Sequence, residues 1–299
     1  MSILVIHGGA GLIREEFRAE YTRGLEAALH AGYAILRTGG SADEAVMSAV
    51  QTMEQNPLAF NAGMGGALTQ AGTVELDACI MSSDGRAGAV ACVTNTPSAI
   101  RLAHEVRERT PHVLLVGAGA EALEQQPVAN DSLITPRSRE GLARWQRNQP
   151  NELDPHLFTG SNTVGAVALD QAGRLAAATS TGGVTGQLPG RVGDCPIPGA
   201  GTYANPRVAM SCTGLGEAFL RASTAKSLAW QLEHTGELHG SVQHALNEVL
   251  TLGGDGGLIA VTADGQLAWG YNTHSMAYGV ANEDGITFGV HEGQTIHTQ

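Results

Sequence analysis

The sequence predicts a layered α/β protein whose strands pair largely antiparallel. Two observations carry this expectation. Three apolar strand pairs are each joined by a short Asp- and Gly-bearing turn, and stretches of helical periodicity stand between them. The strands are also apolar on both faces, as in Val164-Gly165-Ala166-Val167-Ala168-Leu169, which suits sheets covered on each side.

Taken in order, the chain opens on a strand, Ile3 to His7, followed by a glycine turn, Gly8-Gly9-Ala10-Gly11. Helices follow over roughly Glu16 to Arg37 and Ser41 to Gln55. The second has a start signal, since Ser41 can cap it and Glu44 stands three residues on. Val74 to Met81 and Ala87 to Val93 flank Ser82-Ser83-Asp84-Gly85, the first hairpin. Val164 to Leu169 and Leu175 to Thr179 flank Asp170-Gln171-Ala172-Gly173, the second. Leu258 to Val261 and Leu267 to Gly270 flank Thr262-Ala263-Asp264-Gly265, the third. Candidate helices near Ser98 to Arg109, Gly214 to Trp230 and Ser241 to Leu252 supply the covering layers.

One segment differs in texture. From Gln125 to Asn162 the chain turns polar, charged and Pro-bearing, with a short helix around Ser138 to Arg147, and it ends in Thr159-Gly160-Ser161-Asn162. A connection this long in a compact domain is usually functional or disordered. The apolar strand begins immediately after it, at Thr163.

Composition limits the function. Aromatic residues are only 4% of the 299 while Gly reaches 40, so the core is built from Ala, Val, Leu and Ile. A formal charge of −12, with only 17 Lys and Arg spread along the chain, argues against a nucleic-acid partner, because phosphate binding needs clustered cations. No apolar run is long enough to span a membrane. The cysteines Cys79, Cys92, Cys195 and Cys212 lack zinc spacing and follow no secretory signal, so reduced thiols in a cytoplasmic protein are expected.

A threonine between a flexible segment and a buried strand can become a chain terminus if the bond before it is cut. Its hydroxyl is a weak nucleophile until a base takes the proton, and a free α-amine on the same residue can be that base. That amine titrates near pH 8 (roughly 7.7 to 8.0), so a useful fraction is neutral at pH 7. In the intact chain the nitrogen is an amide without a basic lone pair. On position alone, Thr163 reads equally as the first residue of a strand.

Its company changes that. Thr179-Ser180-Thr181-Gly182-Gly183, Leu188-Pro189-Gly190-Arg191-Val192-Gly193-Asp194 and Ser211-Cys212-Thr213-Gly214-Leu215-Gly216-Glu217 follow in order. His7-Gly8-Gly9-Ala10-Gly11, Phe60-Asn61-Ala62-Gly63 and Glu75-Leu76-Asp77-Ala78-Cys79 precede. Together these stretches resemble the plant-type asparaginases, also called isoaspartyl peptidases, of the N-terminal-nucleophile hydrolases. The likeness covers nearly the whole chain apart from the linker and the C-terminal end.

The resemblance implies a four-layer αββα sandwich, made as a precursor and cut between Asn162 and Thr163, with Asn61 beside the cleavage site. Residues 1–162, including a flexible linker of about 125–162, and 163–299 would become two subunits of one folded unit, and two such units would pair. It implies Thr163 as nucleophile, Thr181 as the hydroxyl that holds it, and Thr213 with the Gly214 N–H as the oxyanion hole. Arg191 would grip the substrate carboxylate, for which a guanidinium offers parallel donors. Asp194 would accept from its ammonium, with Gly216 facing the substrate. L-Asparagine and β-aspartyl peptides are the implied substrates, with no cofactor in the chemistry. A structural sodium ion is implied on backbone carbonyls of Met53, Glu54, Asn56, Phe60, Ala62 and Met64, in a loop that carries one additional residue within Pro57-Leu58-Ala59-Phe60.

Two departures stand out: Asn162, where plant-type members usually have Gly, and Gln187, where many have Lys. Three other readings stay open. Glycosylated asparagine is the substrate of a related branch. An uncleaved relative could serve as a binding protein. Finally, Gly117-Ala118-Gly119-Ala120-Glu121-Ala122 after His112 to Val116 has a dinucleotide-binding pattern, a weak signal because the surrounding βαβ unit is missing.

Overall fold

A computed structural model describes residues 1–148 and 163–298. Among these, eight strands form one sheet. Read across it, they are β12 (Gly285–Glu292), β11 (Ser275–Asn282), β1 (Ile3–Gly11), β5 (Val164–Leu169), β6 (Leu175–Thr181), β2 (Leu76–Ser82), β3 (Ala87–Val93) and β4 (Leu114–Val116). The second sheet holds five: β13 (Thr295–Thr298), β10 (Leu267–Tyr271), β9 (Gly256–Thr262), β8 (Val208–Gly214) and β7 (Thr202–Ala204). All pairs are antiparallel except β3 with β4.

Strand alternation sorts the side chains into layers. Leu4 and Ile6 of β1 and Ala166 and Ala168 of β5 share a core with α1 (Glu15–Arg37), α2 (Ala42–Glu54) and α3 (Ala99–Arg109). Ile3, Val5, Val167 and Leu169 point the other way and meet Ile259 and Val261 of β9. The outer face of the second sheet, with Met210, Leu258 and Ala260, packs on α6 (Gly216–Ala222), α7 (Thr224–Thr235) and α8 (Leu238–Thr251). Helices, sheet, sheet, helices: the αββα sandwich is observed, and its doubly apolar strands are those buried on both faces.

The three hairpins form as expected, as β2–β3, β5–β6 and β9–β10. Ser41 caps α2 in a capping box with Glu44. The helix expected around Ser138 starts earlier, as α5 (Pro136–Arg147), after the four-residue helix α4 (Ala118–Glu121) and a 3-10 turn at Asn130–Leu133. Thr135 caps α5 with Pro136 in its first turn.

Elsewhere the elements differ from expectation. Gly8 to Gly11 is not a turn: β1 runs through it, with a register shift between His7 and Gly9 against β11. The helix expected over Gly214 to Trp230 breaks at Ser223, which sits at φ 48°. The N–H groups of Ala225 and Lys226 then donate to Ala200 and Gly199, so α7 starts anew on the turn before β7. β4 is a three-residue strand at the sheet edge followed by the short α4, which does not make a dinucleotide-binding unit. Among the described residues no helix is long and apolar enough to cross a membrane. Asn162 lies outside the described residues.

Candidate active site

Thr163 stands at the head of β5, in the middle of the larger sheet, and is buried. Its hydroxyl donates to Thr181 Oγ1 at 3.0 Å. Thr181 is the last residue of the adjacent β6, and its oxygen also accepts the Gly183 N–H at 3.1 Å. Asn61 fixes the bend that follows. Its Nδ2 donates to Gly183 O (2.7 Å), its carbonyl accepts from Gly182 N (2.9 Å), and its Oδ1 accepts from Ala67 N (2.7 Å). Gln187 folds inward to accept the Val184 N–H at 2.9 Å, so it closes this turn.

Arg191 and Asp194 come together as the sequence suggested, with Gly216 between them. A Cβ at Gly216 would lie 2.8 Å from Arg191 Nη2 and 2.9 Å from Asp194 Oδ1, so only a bare glycine fits this closely against both the cation and the carboxyl. Asp194 is buried and its Oδ2 has no hydrogen-bond partner among the described residues. Burial pushes its carboxyl up to about 7, with the nearby Arg191 pulling the other way. An orphaned buried acceptor calls for a donor; this oxygen lies on the Gly201 side of the carboxyl, 2.6 Å from where a Cβ on Gly201 would stand.

Sequence reasoning missed the partner of Arg191. Its Nε and Nη2 both reach Glu217, at 2.9 Å each. Burial opposes ionisation of Glu217, yet these two donors hold its carboxyl below the usual range. The only available signal was adjacency, since Glu217 directly follows Gly216. The same loop is tied from below, where Gly190 N donates to Glu75 Oε2 at 2.8 Å. Asp77, opposite Thr181 in the sheet, accepts the Cys92 N–H at 2.9 Å and also bonds the backbone of Gly193. Burial raises its carboxyl to about 7.

Thr213 and Gly214 close β8 in the second sheet, and the Ala10 N–H of β1 donates to Thr213 Oγ1 at 3.4 Å, joining the two sheets at this end. Gly214 sits at φ 148°, where a Cβ would collide with Asp255 O and with Gly256.

Carbonyls of the loop offered to sodium are already met by other donors. Arg137, from α5, donates through Nη1 to Ala59 O and through Nη2 to Phe60 O, and Glu54 O accepts the Met64 N–H at 2.8 Å. A guanidinium on the Phe60 carbonyl repels a second cation at the same place. Glu54 itself points its carboxylate to Ser98 (2.5 Å), Ser180 (2.6 Å) and the Ile100 N–H (3.0 Å).

The family model described as asparaginase matches residues 1–290. The chain belongs to the asparaginase family. Isoaspartyl peptidase of Escherichia coli K12 is 41% identical over 325 residues, spanning all of this chain and 99% of that protein. Plant-type L-asparaginase of Pyrobaculum calidifontis is 42% identical, over 93% of this chain and 96% of its own. The human isoaspartyl peptidase/L-asparaginase is 36% identical, over 99% and 98%. As a member of this asparaginase family, the chain has the family's Ntn-hydrolase fold, in which a threonine is the nucleophile.

Proposed function

We propose that this protein hydrolyses the side-chain amide of L-asparagine and the β-linkage of isoaspartyl peptides, after cutting its own chain between Asn162 and Thr163. The 3.0 Å contact between the Thr163 and Thr181 hydroxyls carries the reading. Names of relatives from bacteria, an archaeon and vertebrates support the substrate class.

In this mechanism the freed α-amine of Thr163 takes the hydroxyl proton as Oγ1 attacks the side-chain carbonyl carbon. The oxyanion is met by Thr213 and the Gly214 N–H. Collapse expels ammonia, or the amine of the β-linked residue, which leaves with the proton held on the α-amine. Water then hydrolyses the threonyl ester, activated by the same amine, and aspartate departs. Arg191, held by Glu217, binds the α-carboxylate, and the Asp194 carboxylate, whose Oδ1 stands beside Gly216 and Arg191, accepts from the α-ammonium. These contacts position the reacting carbonyl; no cofactor enters. Residues 1–162 and 163–299 stay together as one unit, and two units pair.

The test is product formation. Wild-type protein should release aspartate from L-asparagine and from a β-aspartyl dipeptide, and Thr163→Ala should release none. A Thr163→Ala protein with wild-type turnover overturns the assignment.

A further inference from the structure

Between the two sheets, in a layer otherwise filled by Val5, Val167, Ala177, Ala209 and Ile259, runs a connected line of polar side chains that the hydrolytic mechanism does not use. His7 Nδ1 lies 3.1 Å from the carbonyl oxygen of Thr163, and its Nε2 lies 2.9 Å from Ser211 Oγ. Ser211 Oγ is 2.7 Å from Thr179 Oγ1, which is 2.7 Å from Thr202 Oγ1. All four residues are buried, and they come from β1, β8, β6 and β7.

The proton directions follow from one end. A carbonyl oxygen can only accept, so Nδ1 carries the hydrogen and Nε2 is the acceptor. Ser211 must then donate to Nε2 and accept from Thr179, and Thr179 accepts from Thr202. With the Thr179 proton on Ser211, the 2.7 Å contact to Thr202 needs the Thr202 proton, for which the Cys195 carbonyl at 3.0 Å competes, and the line points onto Thr163 O. Such aligned hydrogen bonds reinforce one another in a dry interior. Burial lowers the His7 pKa to about 3, keeping the ring neutral with this tautomer.

We propose that His7 is a positioning residue: the line Thr202, Thr179, Ser211 and His7 holds the carbonyl of Thr163 and thereby orients the residue that carries the nucleophile. The inference rests on Thr163 being the nucleophile. The β1–β5 ladder gives the reason such a tether is needed. Its last register pair is His7 with Gly165, so Thr163 lies beyond the main-chain pairing on that side. Once the bond before it is cut, Thr163 is a chain end, and chain ends fray unless tied down. One tie is the hydroxyl contact with Thr181, and the other is the carbonyl contact with His7. Together they set how the amine and hydroxyl of one residue face each other. Gly165 keeps the line open, because a Cβ there would collide with both Ser211 Oγ and His7 Nε2.

The experiment uses fully cut protein, its new terminus at Thr163 verified by mass. Ser211→Ala removes the donor to His7 while leaving every residue proposed to touch substrate in place. The expected result is a kcat on L-asparagine lower by about tenfold or more with KM within about twofold of wild type. Ser211→Thr, which keeps the hydroxyl, should recover most of the kcat. Thr179→Val, one link further out, should lower kcat in the same way and serves if Ser211→Ala does not fold. A kcat within about twofold of wild type in a folded, cut Ser211→Ala or Thr179→Val protein overturns the proposal. So does equal loss in Ser211→Thr and Ser211→Ala. Thr163→Ala run in parallel separates the cases: activity there sinks the nucleophile assignment, whereas these variants report only on the tether.

Discussion

Thr163 directly precedes β5 and Thr181 ends the neighbouring β6, and their hydroxyls meet at 3.0 Å. The contact orients the Thr163 oxygen by taking its proton into a bond with a neighbour that is itself fixed by the Gly183 N–H. Thr181→Val keeps the shape and removes the acceptor. Its kcat is expected to fall by about a hundredfold, the scale of a misplaced reacting group, with KM little changed. Steady-state kinetics on cut protein checks this.

Asp194 makes substrate binding depend on pH. An ammonium needs an ionised partner, and burial raises this carboxyl to about 7. KM for L-asparagine is therefore expected to rise as pH falls below 7, and Asp194→Asn should bind weakly with that dependence lost. The stability sign is opposite. A carboxyl raised above its ordinary value of 3.8 favours the fold most when protonated, and that favour is lost as pH climbs from 3.8 towards 7. Asp194→Asn should consequently match or exceed wild type in melting temperature at pH 8.

Arg191 is held as well as charged. Arg191→Ala should still be cut yet lose affinity, with KM up by roughly ten- to a hundredfold for the loss of a charge-assisted pair. Glu217→Gln keeps an acceptor but removes the charge, and a smaller rise in KM is expected because the guanidinium is less firmly placed. A Glu217→Gln effect on kcat alone would count against this account.

Arg137 supplies the positive charge for the 53–64 loop. Melting temperature is expected to be the same in sodium chloride and in choline chloride of equal ionic strength. Arg137→Met should cost roughly 1 to 3 kcal/mol, because the Ala59 and Phe60 carbonyls lose their donors. A saturable rise in wild-type melting temperature specific to sodium would show that the ion binds after all.

Much of this was legible in the sequence, for local reasons. Hairpins declare themselves by turn residues between apolar runs, and the α2 start by Ser41 and Glu44, which are near neighbours. What escaped was decided at long range. Gly8 to Gly11 reads as a turn until β11, from the far end of the chain, pairs with it. The break at Ser223 depends on carbonyls of Gly199 and Ala200. In the site, ordered motifs pointed to Thr163, Thr181, Arg191, Asp194, Thr213 and Gly214. Glu217 and His7 were passed over because their roles come from partners: Ser211 lies 204 residues from His7, and no spacing rule links the two.

If cleavage before Thr163 creates the catalytic base, the mass of the purified protein and its activity must change together. One chain is expected to give way to two, residues 1–162 and 163–299, with aspartate release appearing in proportion to the cut fraction. A chain that stays whole while hydrolysing L-asparagine at the full rate would contradict it, since an amide nitrogen at Thr163 cannot take the proton.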